Sequence, residues 1–201
     1  DFLSNFLTKN QLSIQFYSLP NYVVENGQVI LKYNGKKYPL SVFGKHNLYN
    51  LEAAKCVCLE LGVTIDQFYN SIQNFQGADK RLNIIKNSAT NGTVYYDFAH
   101  SPSKVLATVS AVKELHPNRY LIGCLELHTF SSLNVNFLPN YQNTLNNCDE
   151  FWLYIDQHAL DMKGLSNIKS DFLFNCFNHH NMSILKDRNA LLSKILECKL
   201  I

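Results

Sequence analysis

The stretch Tyr95-Tyr96-Asp97-Phe98-Ala99-His100-Ser101-Pro102 is the clearest signal of the fold class in this sequence. An apolar run from Thr93 ends in the carboxylate of Asp97, and Ser101 and Pro102 suit the N-cap and first position of a helix. We therefore predict a strand at 93–97, a turn, a helix from Pro102 to His116 and a strand from Tyr120 to Leu125. Strand, helix and strand in this order are typical of a parallel α/β sheet.

The same pattern recurs further along the chain. We predict a helix from Asn134 to Asn147 and then a strand over Phe151 to Ile155, whose unbroken apolar run favours burial on both faces. Weaker signals predict strands near Phe172 to Phe174 and Met182 to Leu185, and a helix from Asp187 to Leu196. This part is thus predicted to be α/β, a Rossmann-like, mostly parallel sheet with flanking helices.

The preceding residues follow a different pattern. Residues 13 to 43 alternate apolar and polar side chains around two Asn-Gly dipeptides, at 26–27 and 34–35, so an antiparallel meander is predicted. Helical spacing then predicts a helix from Asn47 that ends before Gly62. A second helix, with a capping box of Thr64 and Gln67, is predicted to stop at Gly77. A domain boundary is expected near residues 77 to 82, with domains at 1–77 and 78–201.

Composition narrows the function classes. With 201 residues and 46% apolar content the chain can bury a sizeable core. Its net charge of +2 forms no basic stripe, and no stretch reaches the roughly 20 apolar residues of a membrane span. We expect neither nucleic acid nor a membrane as a partner. Six cysteines without zinc-site spacing favour buried free thiols in a reducing cytoplasm and no metal site.

Two polar loops follow predicted strands of the second part. In the first, Asp97 can accept from sugar hydroxyls, and the helix after Ser101 can face an anion with its N-terminus. Alternatively, Asp97 caps the turn and His100 packs locally. The second loop gathers an acid, an imidazole and three hydroxyls, on Glu126, His128, Thr129, Ser131 and Ser132. Alternatively, its hydroxyls cap the helix that follows. We expect both loops to border one crevice.

A third polar segment opens the first predicted helix. Asn47 and Asn50 are three residues apart, so their amides fall on one helical face, where they can bind a nucleobase edge. The alternative is that Asn47 is an N-cap and Asn50 is solvated. Gly44-Lys45 is no P-loop, because no Ser or Thr follows it. The remaining histidines are expected on a solvated surface: His116, His158, His179 and His180.

Three motifs stand in a fixed order: Gly44-x-His46-Asn47-x-x-Asn50, Phe75-x-Gly77-x-x-Lys80-Arg81 and Asp97-Phe98-Ala99-His100-x-Pro102. Together they resemble the second half of the Mur ligases, the ATP-dependent family that joins an amino acid or peptide to a UDP-N-acetylmuramoyl carboxylate. The resemblance runs from about residue 13 to 155. It implies that residues 1–77 end a central ATP-binding domain and that 78–201 belong to a C-terminal domain that binds the amino acid or peptide.

The resemblance also implies roles for the motif residues. Asn47 and Asn50 would contact adenine, Arg81 would hold the transferred phosphate, and Asp97 would bind near the ribose. His46 and His100 belong to the same nucleotide-binding motifs. Lys80 stands beside Arg81 where the family normally has a first arginine, and a lysine offers a point charge instead of a planar fork.

The implied cofactors are ATP and magnesium. The implied reaction phosphorylates the muramoyl carboxylate, and the acceptor's amine then attacks the acyl phosphate, which makes catalysis mainly positioning and charge neutralisation. The resemblance further implies that the UDP-sugar domain, the P-loop and most magnesium ligands precede Asp1 and that a closing segment follows Ile201. The isolated chain is accordingly expected to lack ligase turnover.

The loop from Glu126 to Ser132 points to one branch of the family. The L-alanine ligases resemble Gln-Pro-His-Arg-Tyr-Thr-Arg there, and this chain has Thr129 and Ser132 in place of the two arginines. Its pattern is closer to the Glu-Pro-Arg-Ser-Asn-Thr-Ser of murein peptide ligases, which attach recycled L-alanyl-γ-D-glutamyl-meso-diaminopimelate to UDP-N-acetylmuramate. The five polar residues of this loop would then bind that peptide. The alternatives are a UDP-N-acetylmuramate-L-alanine ligase and a non-catalytic nucleotide or UDP-sugar binding module.

Overall fold

A computed structural model describes residues 14–79, 81–88, 92–156, 160 and 168–198, with side chains 86–88 excepted. The chain divides into two units, which join between Gln76 and Gly77. In these ranges no helix combines the length and the apolar character needed to cross a bilayer.

The first unit opens with a three-stranded antiparallel sheet in the order β1-β2-β3, formed by Tyr22–Glu25, Gln28–Tyr33 and Lys36–Leu40. Both connections are two-residue turns with positive φ at each position, 52° and 72° at Asn26 and Gly27 and 46° and 74° at Asn34 and Gly35. Such turns match the twist of the flanking strands. The predicted meander is therefore confirmed.

Two helices follow, α1 at Lys45–Glu60 and α2 at Ile65–Ile72. Gly62, just beyond α1, has φ +85°, and the capping box of Thr64 and Gln67 is present. The prediction that the second helix reaches Gly77 was wrong. The amide of Phe75 donates to the Ile72 carbonyl in a tight final turn, and the Phe75 side chain is 49% exposed, so no apolar packing extends the helix.

The second unit begins with an antiparallel hairpin, β4 at Asn83–Ser88 and β5 at Gly92–Tyr96. Helix α3 covers Pro102–Leu115, and helices α4 and α5 cover Ser170–Phe177 and Arg188–Glu197. The parallel sheet has the order β6-β7-β8, formed by Ile122–Glu126, Glu150–Tyr154 and Met182–Leu185. The predicted α/β architecture with a parallel sheet is confirmed.

Strand β7 lies at the centre of this sheet. Phe151, Trp152 and Leu153 are buried on both faces of it, as their unbroken apolar run predicted. Beside it, a Cβ on Gly123 of β6 would lie 2.7 Å from the Cys148 sulfur, so only glycine fits there. Val105 and Val109 of α3 join the same core, which seats the helix on the sheet.

The helix predicted at 134–147 was wrong. Within this segment the structure has a 3₁₀ helix, Leu138–Tyr141, flanked by turns. Asparagine side chains take the backbone groups that a helix would need: Asn134 Oδ1 accepts from the Asn136 amide and Asn140 Nδ2 donates to the Phe137 carbonyl, each at 2.8 Å. Asn143, with φ +62°, turns the chain in the left-handed region.

The strand predicted near 172–174 was also wrong, because these residues lie in α4. Leu173, Cys176 and Phe177 are the buried residues of this helix, a spacing of three and four that favours a helix over a strand. Asn178, with φ +50°, ends the helix, and its amide donates to the Phe174 carbonyl. The strand near 182–185 and the helix after Asp187 are confirmed as β8 and α5.

The strand before Asp97 was predicted to be parallel, and this was wrong. Strand β5 pairs antiparallel with β4, and in the described ranges no backbone ladder joins it to β6. Strand β4 carries Lys86, Asn87 and Ser88, polar residues that gave no strand pattern in the sequence. Its partner β5 supplies the register that makes it a strand.

Two histidines expected on the surface lie elsewhere. His179 is buried, its Nε2 lies 3.1 Å from the Cys148 carbonyl, and its Nδ1 accepts from the Asn181 amide. His116 is half-buried, with Nε2 2.7 Å from the Tyr95 hydroxyl. His180 is exposed as expected, and His158 lies outside the described residues.

All six cysteines are free thiols, and their burial varies. Cys148 and Cys176 are buried, as predicted, and burial raises the pKa of the Cys148 thiol to about 12, so it stays protonated and unreactive. Cys124 is exposed, which the apolar run around it did not predict.

Candidate functional site

Asp97 lies directly after β5, in the turn that leads into α3. The helix begins at Pro102 after an N-cap at Ser101, whose side chain makes no capping bond to the first amides of the helix. Thr108, two turns into α3, donates to Asp97 Oδ2 at 2.5 Å. This bond fixes the carboxylate, and its second oxygen keeps acceptor capacity for a ligand hydroxyl.

The hairpin register brings a second predicted site residue to the same place. Asn83 at the start of β4 pairs with Tyr96 at the end of β5. Arg81 lies two residues before Asn83 and Asp97 one residue after Tyr96, so both lie at one end of the hairpin. The Arg81 side chain is exposed there. Lys80, predicted to act beside it, lies outside the described residues.

The turn that carries Arg81 is held by hydrogen bonds to a residue before Arg81 and to a residue after it. The Arg81 amide donates to the Ala78 carbonyl at 3.2 Å and to Asn83 Oδ1 at 2.9 Å. The next residue, Leu82, is only 6% exposed and has φ +50°, which is uncommon for a non-glycine residue. A buried side chain thus holds the backbone in a conformation that it would otherwise avoid.

Phe98 joins the two predicted loops. Its ring centroid lies 5.1 Å from that of His100 in an edge-to-face arrangement and 6.1 Å from that of His128. His100 is fixed further, because its Nδ1 lies 3.0 Å from the Phe98 carbonyl and its own carbonyl accepts from the Tyr141 hydroxyl. The loops after β5 and β6 therefore approach each other at Phe98 and His128, and a shared crevice there stays a prediction.

Glu126 and His128 lie where the chain leaves β6. His128 Nδ1 is 3.9 Å from Glu126 Oε2, and the pair carries opposite charges only when the imidazole is protonated. Glu126 pairs in register with Tyr154 of β7, and the Tyr154 hydroxyl donates to Asp156 Oδ2 at 3.2 Å. Burial and the neighbouring carboxylate of Asp156 raise the pKa of Tyr154, which keeps its hydroxyl a donor.

The hydroxyls of the loop after β6 largely bond one another. Ser132 Oγ donates to the Thr129 carbonyl at 3.0 Å, and the Ser132 amide donates to Thr129 Oγ1 at 3.1 Å. Ser132 is 2% exposed, whereas Ser131 is exposed and lies 3.1 Å from Thr129, oxygen to oxygen. No helix follows this loop directly, so the capping alternative was wrong: Thr129 and Ser132 close a turn, and Ser131 is the hydroxyl that faces solvent.

The third polar segment lies in the first unit. Gly44, with φ +86°, is the N-cap of α1, so the alternative in which Asn47 caps the helix was wrong. Asn47 lies inside the first turn and its Nδ2 donates to the Phe43 carbonyl at 2.9 Å. Asn50 is exposed one turn later, and His46 is half-buried. The amide of Asn50 is thus available to a ligand, and the side-chain oxygen of Asn47 retains acceptor capacity.

Several residues near these loops were missed by the sequence reasoning. Thr108 and Tyr141 orient Asp97 and His100 from 11 and 41 positions away in the sequence, and no local motif marks them. Tyr154 ends β7 opposite Glu126, and Asp156 follows two residues later; a polar residue after a parallel strand was a signal that could have found them. Among the described residues no group of three or more His, Cys, Asp or Glu side chains is arranged to hold a metal ion.

Comparison with known proteins identifies the relatives of this fold. The chain is 37% identical over 110 residues to the UDP-N-acetylmuramate--L-alanine ligase of Persephonella marina, an alignment that spans 54% of this chain and 23% of that relative. The chain thus matches about a quarter of the relative's length. No family model matches the chain.

Two solved structures share the fold. The UDP-N-acetylmuramate-alanine ligase of Thermotoga maritima superposes with a TM-score of 0.63 at 18% identity, over 83% of this chain and 36% of that one. The murein peptide ligase of Psychrobacter arcticus superposes with a TM-score of 0.54 at 17% identity, over 96% and 43% respectively.

A parallel sheet with polar loops at its carboxyl edge, preceded by an antiparallel meander and two helices, is the α/β fold that the chain shares with these two structures. The proteins that this chain resembles in sequence and in fold are Mur ligases.

Proposed function

We propose that this chain is part of a longer cytoplasmic enzyme that uses ATP and magnesium to form an amide bond between an acceptor amine and the carboxylate of UDP-N-acetylmuramate. The observation that carries the proposal is the hairpin register, which sets Arg81 and Asp97 at one end of β4 and β5. The first unit would end the central ATP-binding domain, and the second would be the C-terminal domain that receives the acceptor.

The residues fit a nucleotide in each unit taken by itself. In the first unit Asn50 offers an exposed amide with both a donor and an acceptor. In the second unit the fixed carboxylate of Asp97 can accept from ribose hydroxyls, and the exposed guanidinium of Arg81 can bind phosphate oxygens in a bidentate way. ATP supplies the phosphoryl group that activates the carboxylate as an acyl phosphate, and Arg81 would neutralise the charge on the transferred group.

The acceptor would bind at the loops after β6 and β7. Glu126 and Asp156 can accept hydrogen bonds from its amine and peptide groups, and His128 and Ser131 can donate to its carboxylates. We propose the murein tripeptide L-alanyl-γ-D-glutamyl-meso-diaminopimelate as this acceptor, because the loop lacks the two arginines of the L-alanine ligases. The Persephonella relative supports L-alanine as the second candidate.

The experiment is turnover by the full-length protein with ATP, magnesium and UDP-N-acetylmuramate, and with tripeptide or L-alanine supplied separately. Phosphate release with the tripeptide alone supports the recycling ligase, and release with L-alanine alone assigns the biosynthetic branch. Absence of release with either acceptor would leave the proposed ligase without support and favour a binding module.

A matched pair of variants connects turnover to the site. Arg81→Ala should lower kcat by at least ~100-fold, because the charge on the transferred phosphate loses its partner. Arg119→Ala is the control, since Arg119 bonds Thr93 at the opposite end of β5. Equal loss in the two variants would contradict the assignment of Arg81.

A further inference from the structure

We propose that Asn83 is a positioning residue, which holds the turn before β4 so that Arg81 is presented at the hairpin end beside Asp97. The inference rests on the proposed function for its effect on turnover. The part of the inference that concerns structure, namely that Asn83 anchors the Arg81 backbone, involves only the second unit and does not depend on that function.

The first support is the pair of bonds at the Arg81 amide. This single N–H is shared between the Ala78 carbonyl, at 3.2 Å, and Asn83 Oδ1, at 2.9 Å. The bond to Ala78 closes the turn on its N-terminal side, and the bond to Asn83 ties it to the first residue of the strand. An asparagine that bonds the backbone two residues away is a local clamp that glycine, alanine or an apolar residue cannot form.

The second support is the anchoring of the clamp itself. The backbone of Asn83 is paired with Tyr96 in the antiparallel ladder, and Tyr96 directly precedes Asp97. The oxygen that holds Arg81 therefore belongs to a residue whose position is already fixed relative to the candidate ribose-binding carboxylate. The position of the Arg81 backbone in the turn is therefore fixed relative to the two paired strands.

The third support is Leu82, between the two clamped residues. Its side chain is 6% exposed while its φ is +50°, so burial holds a backbone conformation that leucine rarely adopts. Without the bond to Asn83 Oδ1, the backbone at Arg81 could rotate and relieve the unfavourable φ of Leu82. The Asn83 bond removes this freedom, so the guanidinium starts from one defined Cα position.

Such placement affects rate more than binding. A phosphoryl group in transfer is stabilised by charges that are already in position, and a displacement of about 1 Å at such a group can cost on the order of 100-fold in rate. Asn83 needs no contact with a ligand for this effect. A loss of its side chain should therefore lower kcat and leave the KM for the acceptor unchanged.

The test uses the full-length protein with Asn83→Ala, Asn83→Ser and Ile85→Ala. Serine keeps a neutral oxygen that can bond a nearby amide, and Ile85 is a matched control because it lies two residues further along β4 and is 66% exposed. We expect Asn83→Ala to lower kcat about 10- to 100-fold, Asn83→Ser to recover a large part of it, and Ile85→Ala to stay within about twofold of the wild type. Retained kcat in Asn83→Ala, or equal losses in the alanine and serine variants, would overturn the inference.

Amide hydrogen exchange over residues 78–83 separates this inference from the proposed function. Loss of the clamp should speed exchange of the Arg81 amide about 2- to 10-fold in Asn83→Ala and leave it unchanged in Ile85→Ala. Unchanged exchange in Asn83→Ala overturns the inference whether or not the wild type turns over. If the wild type shows no turnover but the amide exchange changes as expected in Asn83→Ala, the proposed ligase function is refuted and the role of Asn83 in holding the turn still stands. Should Asn83→Ala not fold, Asn83→Gln serves instead, since it keeps an amide at this position but moves its oxygen away from the Arg81 amide, and it is expected to speed the same exchange.

Discussion

The ring of Phe98 lies 6.1 Å, centroid to centroid, from the imidazole of His128. These two residues belong to different loops, one after β5 and one after β6. Because the same ring also contacts His100, a single aromatic side chain connects the candidate nucleotide residues with the candidate acceptor residues of the second unit.

Phe98→Ala should loosen both loops at once. Aromatic contacts of this kind contribute about 0.5–1.5 kcal/mol each beyond area burial, so we expect the KM values for ATP and for the acceptor both to rise, by about 3- to 10-fold. Steady-state kinetics of the full-length protein measures this. Phe16→Ala is the control, because Phe16 is 87% exposed and lies in the first unit. A rise in only one KM would show that Phe98 serves only one loop.

Thr108 should position the carboxylate of Asp97, the candidate ribose-binding group. Its bond to Asp97 Oδ2 is lost in Thr108→Val, which has nearly the same shape, and retained in Thr108→Ser. A hydrogen bond to a charged group contributes about 1.5–3 kcal/mol, and part of that loss should appear as a KM for ATP raised by about 10-fold in the valine variant. Similar ATP kinetics for valine and serine variants would disprove the positioning of Asp97 by Thr108.

Ser132 and Ser131 are adjacent serines with different expected effects. Ser132→Ala removes an internal bond at a site that is 2% exposed, and should lower the free energy of unfolding by about 1–2 kcal/mol. Ser131→Ala, at an exposed position, should change it by less than about 0.5 kcal/mol. Urea unfolding of the 201-residue chain measures both. Equal stability of the two variants would contradict the structural role of Ser132.

His116 predicts a pH dependence of stability. Burial, with the nearby Arg119 charge, lowers the pKa of His116 below its ordinary value of 6.5. The unfolded chain then takes up this proton before the folded chain does, so the contribution of His116 is complete above about pH 6.5 and is lost as the pH falls through the lower folded pKa. Urea unfolding at a series of pH values should show this loss in the wild type and a weaker one in His116→Gln. His180→Gln is the control at an exposed histidine, and an unchanged pH profile in His116→Gln would refute the prediction.

The local sequence pattern was sufficient to predict those segments whose conformation depends on their own residues. The Asn-Gly turns, the capping box at Thr64 and the buried run from Phe151 to Leu153 were all predicted, because positive φ, a reciprocal cap and an unbroken apolar run have few alternative structures. The segments at 134–147 and 172–174 were predicted wrongly. There the apolar spacing was ambiguous, and asparagine bonds or packing against the sheet selected the conformation.

Residue types at short spacing were sufficient to predict the fold class, the resemblance to the Mur ligases and the polar residues that follow the strands. The tertiary structure was needed to show which of them approach one another: Asn83 opposite Tyr96 sets Arg81 and Asp97 at one end of the hairpin, Phe98 links His100 to His128, and Thr129 turns Ser132 inward. Strand register, ring packing and long-range hydrogen bonds join residues that are far apart in the sequence, as between Tyr141 and His100, and no local pattern specifies such contacts.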